Sequence, residues 1–346
     1  KSLEIESIKT NISLKSLINN QFSLEKVEIS TKSLEISDTI SFVRSLYKIP
    51  ELVVLEKILK IKGYLIADLK IEFDQKGNLK DNYSVNGFIK DTKFTLFKDY
   101  EIDKLNFIFN IKKNDLEIKD LKLKLNGLKL NSKKISSKKI QNEFHFKGDF
   151  ENETVELSKE NIYLVQKNFL SEIDIQKLKF SSKNNFSLRI NEKFKIIEPQ
   201  IISKIKINDA KILNKLSLEK IFPNIKKEIS FLDNEINLNY KKNFLSIDGT
   251  GNLLLQKTKE EIFYKIKKIN EKIQFENSLK IKESDFLIEL LNYKKDPNNE
   301  MMIKMSGYKN LNSQIILESL SLNEGYNAFN IENLKFDENF RVIRLD

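Results

Sequence analysis

The 346-residue sequence has no cysteine, no tryptophan, a single histidine, four prolines and nine glycines. Without cysteine there can be no disulfide, no thiolate metal site and no thiol nucleophile. A lone histidine, His145, excludes histidine-rich zinc sites and paired-histidine mechanisms. The scarcity of glycine and proline excludes collagen-like and linker-like chains. Arginine is almost as rare: Arg44, Arg189, Arg341 and Arg344 are the whole set, so lysine carries nearly all of the net charge of +10. Arginine is the residue that reads guanine edges and clamps phosphates bidentately. The lysines are also interleaved with acids, and nucleic acid is therefore not expected as a partner. The densest cluster, Lys133, Lys134, Lys138 and Lys139, reads as a solvated loop. No stretch approaches the ~18 apolar residues of a membrane span. No signal peptide is visible and the chain opens at Lys1. A segment of a longer or processed protein is expected, with any anchoring helix upstream of residue 1.

What the sequence does contain is alternation of period two. Leu121, Leu123 and Leu125 alternate with polar residues, as do Phe186, Leu188 and Ile190, then Ile236, Leu238 and Tyr240. Phe286, Ile288 and Leu290 follow the same rule, and so do Met301, Ile303 and Met305. One apolar and one polar face per run is the pattern of an antiparallel sheet packed on one side and wet on the other. Turn signals separate the runs, among them Asp74-Gln75-Lys76-Gly77-Asn78 and Asp296-Pro297-Asn298-Asn299. The alternation extends over residues 257–275, which reads as strands and not as a Lys/Glu helix.

A short phrase also recurs: apolar, two polar, apolar, one polar, apolar. Copies begin at Leu24, Ile102, Ile118, Ile175, Ile202, Leu317 and Ile331. In a flat strand, positions three apart point to opposite faces. A β-bulge absorbs the extra residue and returns both side chains to one face, while bending the strand. A short loop between two strands also fits any single copy, but the recurrence favours the bulge. The copies are irregularly spaced, so the chain is not a fixed-period solenoid. Helical signal is confined to about 38–62, capped by Asp38 and interrupted by Pro50, and to about 217–229, broken by Pro223. The expected fold is all-β and mainly antiparallel, an elongated, strongly curved or twisted sheet with one or two short helices. No linker divides it, so 1–346 reads as a single elongated segment with a helical insert.

Chemistry is thin. Alternation in Glu143-Phe144-His145-Phe146 puts His145 on a polar face, as a surface residue and not a general base. The 50 carboxylates are spread over polar faces with no pair brought together. Gly249-Thr250-Gly251 is the nearest approach to a glycine-rich loop, and a hairpin or strand kink explains it. No catalytic residue, metal ligand or cofactor is assigned, and no enzyme is expected.

The phrases at Ile102 to Phe107 and Ile331 to Phe336, the stretch Gly63-Tyr64-Leu65-Ile66-Ala67-Asp68-Leu69 leading into Phe73 to Gly77, the run Leu123 to Leu130 around Gly127 and the helical insert before Gly63 together resemble the AsmA-like proteins, the TamB and YhdP types of Gram-negative bacteria. That resemblance implies a curved sheet folded into a taco-like groove with an apolar interior. It implies a periplasmic location, tethering to the inner membrane by an N-terminal helix outside this segment, and a part in moving phospholipids to the outer membrane. Independently, a one-sided apolar sheet with so few helices needs something to cover it. Acyl chains would serve, at roughly 0.8 kcal/mol per buried CH₂. Candidate lipid-contacting residues are Leu121, Leu123, Leu125, Ile175, Leu178, Phe180, Leu253, Leu255, Phe286, Ile288 and Leu290, for each of which ordinary core packing is the alternative. The expected partners are phospholipid acyl chains, the membrane and other envelope proteins. The competing function is a ligand-free β-scaffold of the envelope.

Overall fold

A computed structural model describes residues 4–13, 18, 24–46, 50–53, 60–74, 76–96, 99–169, 173–193, 195–214, 218–289, 292–309, 315–336 and 342–344. The chain is all-β, 72% strand and 8% helix. Every strand pairing described is antiparallel, as one-sided alternation requires. The chain forms two compact units, Lys1–Asn152 with Asn185–Ile197, and Glu153–Asn184 with Glu198–Asp346.

The first unit begins with β1 (Ile5–Ile12), β2 (Leu24–Thr31) and β3 (Leu34–Glu35). Helices α1 (Ile36–Leu46) and α2 (Pro50–Val53) follow, then β4 (Lys62–Glu72), β5 (Ser84–Leu96), β6 (Tyr100–Lys112), β7 (Asp115–Leu125), β8 (Leu128–Ile140) and β9 (Glu143–Glu156). The pairing order is β1-β2-β4-β5-β6-β7-β8-β9, with β3 beside the start of β4. Helix α1 packs on β3 and β4, and Leu34, Ile36 and Ile40 are buried there.

Helix α3 (Lys159–Phe169), β10 (Ile175–Ile190) and β11 (Ile196–Leu213) come next. The second unit continues with β12 (Glu228–Lys241), β13 (Phe244–Leu254), β14 (Lys259–Ile269) and β15 (Lys272–Ile281). A small hairpin of β16 (Leu287–Ile288) and β17 (Tyr293–Lys294) precedes β18 (Met301–Lys309), β19 (Ile315–Glu324), β20 (Asn327–Phe336) and β21 (Val342–Arg344). Its order is β11-β12-β13-β14-β15-β18-β19-β20-β21. In both units the described order starts and ends on different strands, so neither closes into a barrel.

The expected helix at 38–62 is present in part, as α1 and α2: it starts at Ile36, so Asp38 lies inside the first turn and not at the cap, 47–49 and 54–59 lie outside the described residues, and strand has begun by Lys62. The expected helix at 217–229 is corrected. Residue 217 lies outside the described residues, Leu218–Lys220 make one 3₁₀ turn, and Glu228 already belongs to β12. Pro223 cannot donate in a helix interior, Asn224 adopts φ 62°, and Phe222 is drawn into an apolar cluster instead. The second helix of appreciable length is α3, which alternation did not reveal. Of residues 257–275, expected as strands, 259–269 form β14 and 272–275 open β15, while 257 and 258 lie in a bend before β14.

The recurring phrase is a bulge at most of its copies. Asn11 pairs with Lys26 and Ile12 with Leu24, which leaves Glu25 as the extra residue. The β6–β7 register shifts between Asp103 and Asn106 and again between Asn106 and Ile108. Ser306 pairs with Ser319 and Gly307 with Leu317, leaving Glu318 unpaired. At Ile102, Ile118 and Ile331 the third residue of the phrase takes a left-handed backbone: Lys104 at φ 51°, Asp120 at φ 50° and Asn333 at φ 56°. The Ile202 copy pairs with β12 without a shift. Asp91, Lys104 and Asp120 fall on three successive strands, so the bulges line up into a seam across β5, β6 and β7. Asn106 Oδ1 accepts the Asp91 N–H at 3.0 Å and holds this seam open.

A left-handed conformation costs an ordinary L-residue roughly 1–2 kcal/mol, and a β-branched one more. Lys104→Val is expected to lower unfolding stability by about that amount, while Lys104→Gly holds or raises it. Urea unfolding of both variants checks this. An equal loss in the two would mean that side-chain contacts of Lys104, and not its backbone, matter.

Candidate functional site: the apolar sheet faces

Register and alternation put transverse rows of apolar residues on one face of the first unit. One row runs Ile8, Ile29, Leu69, Val85, Ile111, Leu116 from β1 to β7. The next runs Ala67, Gly87, Phe109, Ile118, Ile135, Gly148 from β4 to β9. The bulge at Asp120 carries this face onward to Leu121, Leu123 and Leu125. Phe109, Leu121 and Ile135 are buried, but Ile29, Leu69, Val85, Ile111 and Leu116 are only half-buried and Ile8 is 57% exposed. A sheet face covered by a second layer would seal such residues. These rows are instead left partly open to solvent. The opposite face carries the charges, with Lys70 paired to Glu72 at 2.7 Å and Lys119 to Glu117 at 3.1 Å.

The second unit has the same one-sidedness, graded along its strands. Ile262, Leu279, Ile303, Leu322 and Phe329 form a row toward one end. That end is sealed. Phe222, Leu253, Leu255, Ile281, Phe286, Met301 and Leu322 form a cluster in which Ile281 and Met301 are 0% exposed. Phe222 meets Phe286 edge-to-face at 5.3 Å between ring centres. Two rows further along, Leu238, Ile247, Ile266 and Phe275 are half-buried. Gly249 and Gly251 leave room on this face: a Cβ on Gly249 would fall inside the Tyr264 ring, and one on Gly251 inside the Asn234 amide. Burial pushes the Tyr264 phenol up to about 12.

Residues 282–289 and 292–296, which close this end, are tied down by buried polar groups. Glu260, 0% exposed, accepts the Lys282 N–H at 2.7 Å and the Ser284 N–H at 2.9 Å. Gln256 accepts the Asp285 N–H at 2.8 Å and donates to the carbonyls of Asp285 and Pro223. Glu324 accepts the Tyr293 hydroxyl at 2.6 Å and the Asp296 N–H at 2.7 Å. The Lys295 ammonium donates to the carbonyls of Lys282 and Asp296 at 2.8 and 3.0 Å. Each anchor satisfies loop backbone that burial would otherwise orphan. Burial raises the Glu260 carboxyl, but the donors from Ser284 and Lys282 outweigh it and hold the group below its ordinary value. In Tyr293, burial and the Glu324 carboxylate both push the phenol upward.

The sequence-derived candidates therefore divide. Leu121, Leu123 and Leu125 lie together on the first unit's apolar face, Leu121 buried and the others half-buried. In the second unit Ile175 is buried and Leu178 and Phe180 half-buried on β10. Leu253, Leu255 and Phe286 sit inside the sealed cluster, with Ile288 packed against it. Leu290 lies outside the described residues. The anchors Gln256, Glu260, Lys295 and Glu324 were missed. One signal for Glu260 was available: it occupies an apolar-face position in the alternation Glu260, Ile262, Tyr264, Ile266. His145 sits on the polar face of β9, its Nε2 3.8 Å from Glu143 Oε2. Among the described residues, no three acidic or histidine side chains converge as a metal site, and no helix is long and apolar enough to cross a membrane.

Comparisons with known protein families, with characterised proteins and with solved structures found no match.

A carboxyl held below its unfolded value contributes stability that is complete above that value and lost as pH falls through the lowered one. Acidification below pH 4.5, the ordinary value for Glu260, is thus expected to loosen residues 282–289 and 292–296. Glu260→Gln is expected to weaken the closure at neutral pH by about 1–3 kcal/mol and to flatten this pH response. Hydrogen exchange at the Lys282 and Ser284 amides reads both effects. Protection unchanged between pH 7 and pH 3 would assign the closure to apolar packing alone.

Proposed function

We propose that this chain is a lipid-binding conduit segment, carrying phospholipid acyl chains on the apolar faces of its antiparallel sheets. The observation that supports this reading best is the half-buried row Ile29, Leu69, Val85, Ile111, Leu116, apolar across successive strands and backed by a charged face. Each CH₂ withdrawn from water there gains roughly 0.8 kcal/mol, so a dozen would gain on the order of 10 kcal/mol. Rows that repeat from strand to strand spread that gain evenly, and a chain can shift along them without a deep trap. The AsmA-like resemblance adds the setting: the periplasm of a Gram-negative envelope, an inner-membrane anchor outside this segment, and phospholipid movement between the two membranes.

The second reading is a ligand-free scaffold for envelope proteins. It draws on the sealed cluster around Ile281 and Met301, where side chains alone fill the face. Native mass spectrometry after incubation with phospholipid vesicles separates the two. The conduit reading expects bound phospholipid, and it expects Leu69→Asp combined with Ile111→Asp to reduce occupancy tenfold or more with the unfolding transition retained. A bare protein mass at every lipid concentration would leave the scaffold.

A further inference from the structure

We infer that the apolar face of the second unit takes a phospholipid in one orientation, its phosphate between Lys268 and Lys309 and an acyl chain running along the strands toward the sealed end. This deepens the lipid-binding reading and rests on it. The observation is a polarity in the alternation. On β14, Glu260, Ile262, Tyr264, Ile266 and Lys268 share the apolar face. On β18, Met301, Ile303, Met305, Gly307 and Lys309 share it. On β19, Leu320 and Leu322 lead to Glu324. The carboxylates thus stand at the sealed end, each consumed by backbone N–H donors of the closing segment. The two ammonium groups stand at the other end, in the row Tyr240, Leu245, Lys268, Ile273, Lys309, Ile315, Phe336.

The charges at the two ends are also treated differently. Near the sealed end, Lys280 pairs with Glu300 at 2.7 Å and Lys282 with Glu261 at 2.6 Å. Lys268 and Lys309 make no ion pair with any described residue, and no acid of the described residues shares their row. Nearby on the opposite face, Lys272 lies 4.1 Å over the Tyr308 ring. Lys268 and Lys309 are two strands apart, about 10 Å, with Ile273 between them. A phosphate held there is bound by charge, while Tyr240, Leu245, Ile273 and Phe336 meet the first carbons of the chain. From Lys309 to Met301 the strand covers eight residue steps, about 26 Å. One leaflet's chain spans about 15 Å, half of a ~30 Å hydrocarbon core, so the chain fits before the sealed end stops it. The reverse orientation would drive an anionic head onto Glu260 and Glu324.

The test uses the intact chain and phosphatidylglycerol vesicles, with bound lipid counted by native mass spectrometry. Lys268→Ser with Lys309→Ser is expected to lower occupancy tenfold or more. Lys241→Ser with Lys272→Ser removes the same charge from the opposite face at the same end and is expected to leave occupancy unchanged, and thermal unfolding confirms that both pairs fold. The chain contains no tryptophan, so Leu245→Trp and Met305→Trp each install a single reporter. Phosphatidylglycerol brominated near the carboxyl end of its chain should quench the first more, and lipid brominated near the methyl end the second more. Equal losses in the two lysine pairs, or quenching independent of bromine position or reversed, would overturn the orientation while leaving lipid binding intact. No lipid on the unmodified chain would overturn the lipid-binding reading itself.

Discussion

An antiparallel strand sends alternate side chains to opposite faces, and this chain obeys that constraint almost everywhere. Keeping one face apolar over strands of eleven to sixteen residues, as in β4 and β10, conflicts with the twist and bending that long strands accumulate. The bulges resolve the conflict. Each one adds a residue where the strand bends and then restores the parity, so Ile118 and Leu121 point the same way although they are three apart. The left-handed residues Lys104, Asp120 and Asn333 are the local cost of that continuity. They persist because the apolar rows on either side over-determine the register.

A largely apolar face raises the question of what covers it, and the two ends of the second unit's sheet answer differently. At one end the chain covers the face with its own turn and hairpin, and this requires burying loop backbone. Glu260, Gln256 and Glu324 meet that requirement by accepting amide protons the loop cannot pair internally. Toward the other end no such anchors appear among the described residues, and exposure rises from Met301 to the half-buried Met305 and Lys309 on the same strand. The buried carboxylates at the sealed end are met by loop amides, while the lysine row stands where the face is open and its ammonium groups can keep their hydration.

Much of this was legible in the sequence. Period-two alternation gave the strands, and the recurring phrase marked the bulges at Leu24, Ile102, Ile118, Leu317 and Ile331. What alternation cannot register is a segment whose role is to cover. Leu218, Phe222 and Ile225 have a helical spacing, yet Pro223 and the pull of the Leu253–Met301 cluster fold them into a turn. Conversely, α3 carries its apolar residues among polar ones with little contrast and left no strong sequence signal. Among the candidate residues, one pattern served two purposes. Leu123 and Leu125 on a half-buried face and Leu253 and Leu255 in a sealed cluster alternate identically. Only the segments lying over the second pair tell them apart, and those are brought there by tertiary structure.

That distinction bears on which reading of the fold carries more weight. A free-standing scaffold gains nothing from leaving apolar rows half-buried, because each uncovered methylene forgoes stability; such rows suit an apolar occupant, whether lipid or a docked protein. Building a sealed end requires the polar anchors seen here, and repeating them along every strand would have closed the face throughout. The second unit instead concentrates them at one end and leaves most of the remaining face apolar, with Asn277 between Tyr264 and Met305 as a polar break. A surface that is finished at one end and left apolar elsewhere is suited to an occupant that enters and leaves. An acyl chain, long and apolar with one charged end, has the matching distribution of chemistry.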